Sequence, residues 1–332
     1  MTATELDTVI NVIPTLSAVQ LRRLSATVQE ALNAREAEAA IEARGGTERP
    51  PCPRCGTADV IRWGHETGLQ RWRCKGCDKT FNKLTCTPLA RARKRADFFA
   101  AARDMIGDAP RSCRKLGQAL GINRMTAWKW RMRLLTTLDG YGKQGLAGLV
   151  EADETFFRES RKGSREWSNH AKGLGPLPPR LQWREYRRQK ISLPRGLSKW
   201  QMPVLVLRDR HGSTLARRIP ELRYKHFEAE LDRALAPDAV LCTDSAGIYR
   251  RYSAQKGRKV EQVNIKRGIH VRDGVFHIQN ANSFHGRLKS FMQPFRGPAT
   301  KHLSLYVGWM ALRDELRNDL LPGNPLVARL LA

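Results

Sequence analysis

The amino-acid sequence predicts an α/β protein, in which a sheet packed with helices follows several smaller modules. In the C-terminal half, strand-like runs come first, then a helical segment, further strand-like runs and two final helices. The chain has 332 residues and 41% of them are hydrophobic, which is enough for one large core and one or two smaller ones. Strands that alternate with helices in this order are typical of an α/β core.

The predicted α/β domain spans residues 147–321. Its strand-like runs are, in order, GLVEADETFF, MPVLVLRD, STLARRI, AVLCTDS and RKVEQVNI. MPVLVLRD and STLARRI are separated by RHG and are therefore expected to form a hairpin. The segments with helical spacing are KHFEAELDRALA, residues 279–293 and residues 300–320.

Three modules are expected before this domain. Residues 1–46 form a helical region, because apolar residues recur at helical spacing on both sides of Pro14. The linker TERPP opens a cysteine-rich module over residues 47–85, and a second helical pattern covers residues 90–138. The glycine-dotted stretch GYGKQGLAG then separates the helices from the first strand of the α/β domain.

The charge of the chain indicates the kind of partner it has. Lys and Arg number 59 against 32 Asp and Glu, giving a formal net charge of +27 and a pI near 10.5. A polyanion is the expected partner, although a basic surface can also serve solubility alone. Residues 158–200 carry twelve Lys or Arg against three Glu, with prolines and glycines. This basic insertion is either an arm that follows phosphates or a disordered segment without a specific contact.

The same composition argues against a membrane or secreted protein. No run of about 18 apolar residues occurs, and MTATELDTVI lacks the basic and apolar blocks of a signal peptide. We therefore expect a soluble protein of the cytoplasm. Of seven cysteines, four form two C-x-x-C pairs, which in a reducing compartment favours metal binding over a disulfide framework.

The two cysteine pairs predict a zinc ribbon. Their spacing lets two hairpin turns converge on one tetrahedral ion, and the ligands are Cys52, Cys55, Cys74 and Cys77. Four protein ligands leave no position open for water, so one structural Zn²⁺ is expected. Two disulfides or a redox pair are the alternatives, but no thioredoxin-like strand and helix pattern accompanies the cysteines.

The helical pattern that follows contains a candidate helix-turn-helix. In RSCRKLGQALGINRMTAWKWRMRLL, one helix ends at Gly121 and a second begins near Arg124, after the short turn GIN. The second helix has an apolar stripe of Ile122, Met125, Trp128 and Met132. The residues expected on its exposed arcs, suited to DNA, are Arg124, Thr126, Lys129, Arg131 and Arg133. Two helices that only stabilise a small core are the alternative.

Two aspartates in the strand-like runs predict a site for hard cations. Asp153 lies in the middle of the first strand, where a charge is costly unless it is used. Asp244 ends the strand AVLCT and is followed by small residues that leave room for a ligand. Carboxylates on adjacent strands can share Mg²⁺, which takes oxygen ligands, whereas a lone Asp at a strand end is usually a turn former.

The helix predicted from residue 279 to 293 brings further polar side chains. Its apolar stripe consists of Ile278, Ala281, Phe284, Leu288 and Phe291. Asn282, His285 and Lys289 fall on a neighbouring arc. Asn282 and Lys289 are seven residues apart, about 20° short of two full turns, and so point the same way. Asn282 is therefore a candidate metal ligand.

In the order VEADETFF, CTDSAGIY, QNANSFHGRLKSF, behind the zinc ribbon and helix-turn-helix, the sequence resembles the zinc-ribbon insertion-sequence transposases of the DDE superfamily, of the ISXO2-like type. The resemblance implies a ribonuclease H-like core with Asp153 on its first strand and Asp244 on its fourth. The third acidic position is Asn282 here, seven residues before Lys289. The usual Glu is absent, and the tail FRGPATKHLSLYVGW is similar to a subgroup that carries Asn at this place.

The resemblance also implies an activity. The expected protein is a DNA transposase that binds the terminal inverted repeats, cleaves the strands and joins the freed 3′-hydroxyl to target DNA. Asp153, Asp244 and Asn282 would hold two Mg²⁺ or Mn²⁺ ions, and Lys289 would hold a phosphate. Because Asn brings no negative charge, we expect this site to assemble with DNA present.

The family resemblance also implies partners and a location, and two alternative functions remain. The partners are double-stranded DNA at the transposon ends and the target, and a second copy of the chain, because two ends must meet. A transposase would act in the cytoplasm, at the nucleoid. The alternatives are a non-catalytic transcriptional regulator with a degenerate core and another ribonuclease H-like nuclease.

Overall fold

The computed structural model describes residues 3–43, 49–176, 188, 201–244, 246–264 and 267–317. Within them the chain divides into two compact units, one before and one after the boundary between Thr137 and Leu138. Among these residues no helix is both long and apolar enough to cross a membrane. Most of the basic insertion, residues 177–187 and 189–200, lies outside the described residues.

The first unit begins with two helices, α1 (Ala3–Val12) and α2 (Ala18–Ala43). The turn between them contains Pro14 in a short 3₁₀ helix, which accounts for the break in the helical pattern. α2 buries Asn33, Ala37 and Ile41 at intervals of four residues. This face packs against α3 (Arg95–Ile106).

A small antiparallel sheet lies between these helices in the sequence. It consists of β1 (Val60–Glu66), β2 (Leu69–Cys74) and β3 (Thr80–Asn82), in that order. Its core is small, formed by Cys52, Val60, Trp72, Cys74 and Phe81. A sheet with so little apolar surface needs another source of stability, for which the neighbouring cysteines are placed.

The unit ends with α4 (Cys113–Ala119) and α5 (Arg124–Thr136), joined by a tight turn. A Cβ added to Gly117 would lie 2.8 Å from the carbonyl oxygen of Ile122, so only glycine allows this approach. Gly121 adopts a φ of +58°, which favours glycine. Asn123 caps α5, because its Oδ1 accepts from the Met125 N–H at 2.7 Å.

The second unit is built on a five-stranded sheet. Its elements are, in chain order, β4 (Leu149–Arg158), α6 (Glu166–Ala171), β5 (Gln201–Asp209), β6 (Thr214–Arg218), α7 (Tyr224–Ala234), β7 (Val240–Thr243), α8 (Gly247–Lys256), β8 (Val260–Gln262), α9 (Gln279–Met292) and α10 (Leu303–Arg317). The spatial order is β6-β5-β4-β7-β8. The pairs β6-β5 and β5-β4 are antiparallel, whereas β4-β7 and β7-β8 are parallel. The expected mixed α/β architecture is confirmed.

The two faces of the central strand β4 have different neighbours. Val150 and Ala152 join a cluster of buried residues to which α7 and α8 contribute. Glu151, which lies between them, projects to the opposite face of the strand and contacts the first turn of α9. β4 therefore directs Val150 and Ala152 towards α7 and α8, and Glu151 towards α9.

Candidate functional site

The four paired cysteines form a compact cluster. Their sulfur atoms all lie within 4.8 Å of one another, with 3.7 Å between Cys52 and Cys77 and 3.5 Å between Cys55 and Cys74. These distances exclude disulfides, whose sulfur atoms are about 2.05 Å apart. Two thiolates on one tetrahedral zinc ion are expected about 3.8 Å apart. The cluster could therefore hold one structural zinc ion, and its donor set suits that metal.

Asp153 and Asp244 occupy matching places on neighbouring strands. β4 and β7 run parallel with Ala152 opposite Thr243, so Asp153 is the next residue of β4 and Asp244 is the first residue after β7. Asp153 Oδ1 accepts from the Glu154 N–H at 2.9 Å, and Asp244 Oδ1 accepts from the Ala246 N–H at 2.9 Å. Both carboxylates thus accept from a backbone N–H one or two positions further along the chain.

The charge of Asp244 is one of the influences on the pKa of Asp153. Burial raises the pKa of Asp153 to about 6, against the opposing hydrogen bond from the Glu154 N–H; the charge of Asp244 adds a smaller rise, and Lys289 opposes it. Two carboxylates that disfavour each other's ionisation are stabilised by a cation placed between them. The donors at this face thus fit Mg²⁺ or Mn²⁺.

Helix α9 presents its polar arc to Asp153. The Nδ1 atom of His285 lies 3.7 Å from Asp153 Oδ2. Burial and the charge of Lys289 lower the pKa of His285 to about 4, so the imidazole is neutral at pH 7. Asn282 is exposed and lies about 60° around the helix from His285, on the same side as Lys289. Asp244 and Lys289 are therefore near enough to Asp153 to affect its pKa, and Asn282 points to the side of α9 that carries Lys289.

This face is open. Among the described residues, the cysteine cluster alone brings three or more His, Cys, Asp or Glu ligand atoms within 4.8 Å of each other. Two aspartates are few ligands for Mg²⁺, which usually keeps several waters and substrate phosphates in its coordination shell. The arrangement therefore suits a cation that a bound phosphate helps to hold.

Two further acidic residues belong to this region, and sequence reasoning underrated both. Burial, opposed by a hydrogen bond from the buried Tyr249 hydroxyl, raises the pKa of Glu154 to about 7, with Asp153 and Asp244 adding to the rise. Glu151 is fully buried in ion-pair contact with Arg210. The signal in the sequence was three acidic residues within four positions of an otherwise apolar strand.

Helix α5 is rotated relative to the expectation. Its core-facing residues are Ala127, Trp130, Arg131, Leu134 and Leu135. Met125 and Trp128, expected in the apolar stripe, are 50% and 42% exposed. Both sets have helical spacing, and stacking of Trp130 on Phe98, with ring centroids 5.3 Å apart, favours the observed rotation.

This rotation changes the environment of the candidate DNA-binding residues. Arg124 and Lys129 are exposed, and Thr126 and Arg133 are half-buried. Arg133 donates to the Ala90 carbonyl at 2.6 Å. The expectation of an exposed Arg131 is wrong: only 2% of it is accessible, because its guanidinium donates to the Arg111 carbonyl at 2.6 Å and lies 3.5 Å from the Asp104 carboxylate.

Comparisons with known proteins agree with this organisation. A curated protein of Halobacterium salinarum, described as an uncharacterized protein in transposable element ISH50, is 27% identical over 273 residues, which are 80% of this chain and 85% of that protein. The model of the family described as ISXO2-like transposase domain matches residues 145–315, more than half of the chain. The chain therefore belongs to the ISXO2-like transposase family.

Proposed function

We propose that this protein is a DNA transposase that binds terminal inverted repeats and catalyses metal-dependent strand cleavage and strand transfer. The observation that carries the proposal is the placement of Asp153 and Asp244 side by side on parallel strands, facing the polar arc of α9. Family membership and the relative in a transposable element support the same activity. The strand order, three antiparallel strands followed by two parallel ones, fits a ribonuclease H-like core.

In this proposal Asp153, Asp244 and the amide oxygen of Asn282 hold two Mg²⁺ or Mn²⁺ ions. When bound, such ions lower the pKa of the attacking water or 3′-hydroxyl and stabilise the departing oxygen. Lys289 binds a phosphate oxygen near the scissile bond. Its ammonium group is near enough to Asp153 to affect the pKa of that residue, and the substrate phosphate is expected beside the same carboxylate. Asn282 adds no charge, so DNA phosphate completes the neutralisation of the ions.

DNA binding is assigned to the first unit. The proposed modules are a helical region (1–46), a zinc ribbon (47–85) and a helix-turn-helix (90–138), ahead of the catalytic domain (147–321). Exposed Arg124 and Lys129 on α5 are suited to contact DNA, with Thr126 and Arg133 at the margins of the same surface. Arg131 instead holds α5 in place. Because two transposon ends must be joined, the working form is a homodimer or larger, at the nucleoid in the cytoplasm.

A transcriptional regulator with a degenerate core is the second candidate. It is favoured by one observation, the neutral Asn282 at the position where the family resemblance implies an acidic residue. A regulator needs the DNA-binding modules and an intact fold, but no metal at Asp153.

The variant Asp153→Ala separates the two candidates. We expect it to abolish Mg²⁺-dependent cleavage of labelled terminal-repeat DNA while leaving DNA affinity unchanged. Asp273→Ala is the matched control, because Asp273 has an exposed carboxylate in the same unit. Joined products with a target plasmid would support the transposase. Nicks without joined products would point to another nuclease, and intact binding without cleavage by the wild type would favour the regulator.

A further inference from the structure

Helix α9 has no side-chain cap at its N-cap position, although the preceding His277 Nδ1 accepts from the Gln279 N–H at 3.3 Å. Its N-cap position is occupied by Ile278, whose side chain accepts no hydrogen bond. The first N–H groups of any helix need partners from outside the helix. Here the Ala281 N–H donates to Oε2 of Glu151 at 2.8 Å, across a separation of 130 residues in the sequence. A residue of β4 therefore caps α9.

The other oxygen of Glu151 ties down the segment that leads into the helix. Oε1 accepts from Asn280 Nδ2 at 2.8 Å and pairs with the guanidinium of Arg210. Arg210 follows β5 and also donates to the Val275 carbonyl at 2.6 Å. His277 Nδ1 lies 3.3 Å from Glu151 Oε1. One carboxylate thus joins the central strand, the β5–β6 hairpin and the start of α9.

These contacts are made beside the candidate catalytic residues. Glu151 and Asp153 are two positions apart on β4 and project to the same face, so their Cα atoms are about 7 Å apart. Ala281, which donates to Glu151, directly precedes Asn282. A shift or rotation of α9 that moved Asn282, His285 or Lys289 relative to Asp153 would break the Ala281 hydrogen bond first.

A buried charge is a poor device for stability alone. Desolvating a carboxylate is costly, and well-packed apolar residues often serve a core equally well. A local Ser or Asp at position 278 would also cap the helix with less burial. Glu151 is 0% exposed. Its described side-chain hydrogen bonds and ion pairs are made with the segment from Val275 to Ala281 or with Arg210, which itself binds that segment.

We propose that Glu151 is a positioning residue, a long-range helix cap that holds Asn282, His285 and Lys289 in place against Asp153 and Asp244. This inference rests on the proposed function for its catalytic consequence. The anion at the helix N-terminus is also favoured by the helix dipole, which accounts for the use of a carboxylate.

The test compares Glu151→Gln with Glu315→Gln. Both change a buried carboxylate of the same unit to an isosteric amide, and Glu315 accepts from the Tyr141 hydroxyl at 2.6 Å, on α10. In Glu151→Gln, an NH₂ group replaces one oxygen that Asn280, Arg210 or Ala281 donates to. Both variants should lose stability. Only Glu151→Gln should raise amide exchange in the first turn of α9.

The functional readout is Mn²⁺ binding to the DNA-bound protein, followed by electron paramagnetic resonance. Glu151→Gln should weaken this binding about tenfold or more, as seen when groups that orient metal ligands are lost, and raise the Mn²⁺ concentration for half-maximal cleavage. Equal Mn²⁺ affinity in the two variants would overturn the proposal. Should Glu151→Gln not fold, Arg210→Lys, which keeps the charge but loses the bridge to Val275, should give the same shift in smaller measure.

Failure of the inference is distinguishable from failure of the proposed function. Amide exchange reports the cap even in a protein that cuts no DNA. If the wild type proves inactive while Glu151→Gln frees the first turn of α9, the proposed function fails and the cap stands. If the wild type is active and α9 exchanges equally in both Gln variants, the cap fails and the transposase stands.

Discussion

His285 Nδ1 lies 3.7 Å from Asp153 Oδ2, which places the polar arc of α9 directly against the central strand. The contact is not an ion pair, because burial and Lys289 keep the imidazole neutral at pH 7. His285 Nε2 is buried and has no hydrogen-bond partner among the described residues. Asp153 therefore receives no compensating charge from His285, and its repulsion with Asp244 remains.

Asp153→Asn should stabilise the protein in buffer without Mg²⁺ and Mn²⁺. The pKa of Asp153 rises on folding from 3.8 to about 6, so ionisation costs more in the folded state. This penalty is absent below pH 3.8, grows up to about pH 6 and is complete above it. We expect about 1–3 kcal/mol of added stability at pH 7.5, measured by urea unfolding, and almost none at pH 4. Equal added stability at the two pH values would contradict this account. The same added stability in Asp273→Asn, which changes an exposed carboxylate, would also contradict it.

Asn282→Asp tests whether the amide is at the metal site. The change is nearly isosteric and adds a negative charge on the arc that faces Asp153 and Asp244. A third carboxylate should strengthen divalent binding, so the Mg²⁺ concentration for half-maximal cleavage should fall about tenfold. Ser290→Asp adds the same charge on the same helix, about 80° away, and should leave the Mg²⁺ requirement unchanged. An unchanged or increased requirement in Asn282→Asp would remove Asn282 from the site.

Cys74→Ser should release zinc and unfold the ribbon. Cys74 is fully buried in the cysteine cluster, and its Sγ accepts from the Cys77 N–H at 3.4 Å. Since the ribbon has little apolar core, its folding should depend on the metal. We expect one zinc ion per wild-type chain by atomic absorption, none in Cys74→Ser, and weaker DNA binding in the variant. Exposed Cys86 is outside the cluster, so Cys86→Ser should keep its zinc; equal loss in both variants would argue against the assignment.

Features whose sequence pattern fits only one local structure could be predicted from the sequence. The cysteine spacing predicted a cluster of four sulfurs, and the run GLVEADETFF predicted the first strand of the α/β domain. In both cases local spacing carries the information. Local spacing does not supply the expectation that Asp153 and Asp244 belong to adjacent strands, and β4 and β7 are indeed parallel neighbours.

Features that depend on distant partners could not be read this way. The partners of Glu151 are Arg210 and the start of α9, up to 130 residues away, so no local pattern marks Glu151 as a cap. On α5, two sets of residues have helical spacing, and only packing against Phe98 selects between them. Arg131 is polar by type, yet the Arg111 carbonyl and Asp104 make its burial possible.

Because α5 is rotated, substitutions of Lys129 and Arg131, which are two positions apart, should affect DNA binding and stability in opposite ways. Arg124→Ala and Lys129→Ala remove exposed cations, so each should reduce the salt dependence of DNA binding by about one unit of slope without lowering the melting temperature. Arg131→Ala removes the more deeply buried of the two arginines that pair with Asp104 and should cost about 3 kcal/mol in unfolding free energy. Its salt slope should match the wild type, measured by fluorescence anisotropy at temperatures where it is folded. A reduced slope in Arg131→Ala, with unchanged slopes in the other two, would show that α5 meets DNA through a different face.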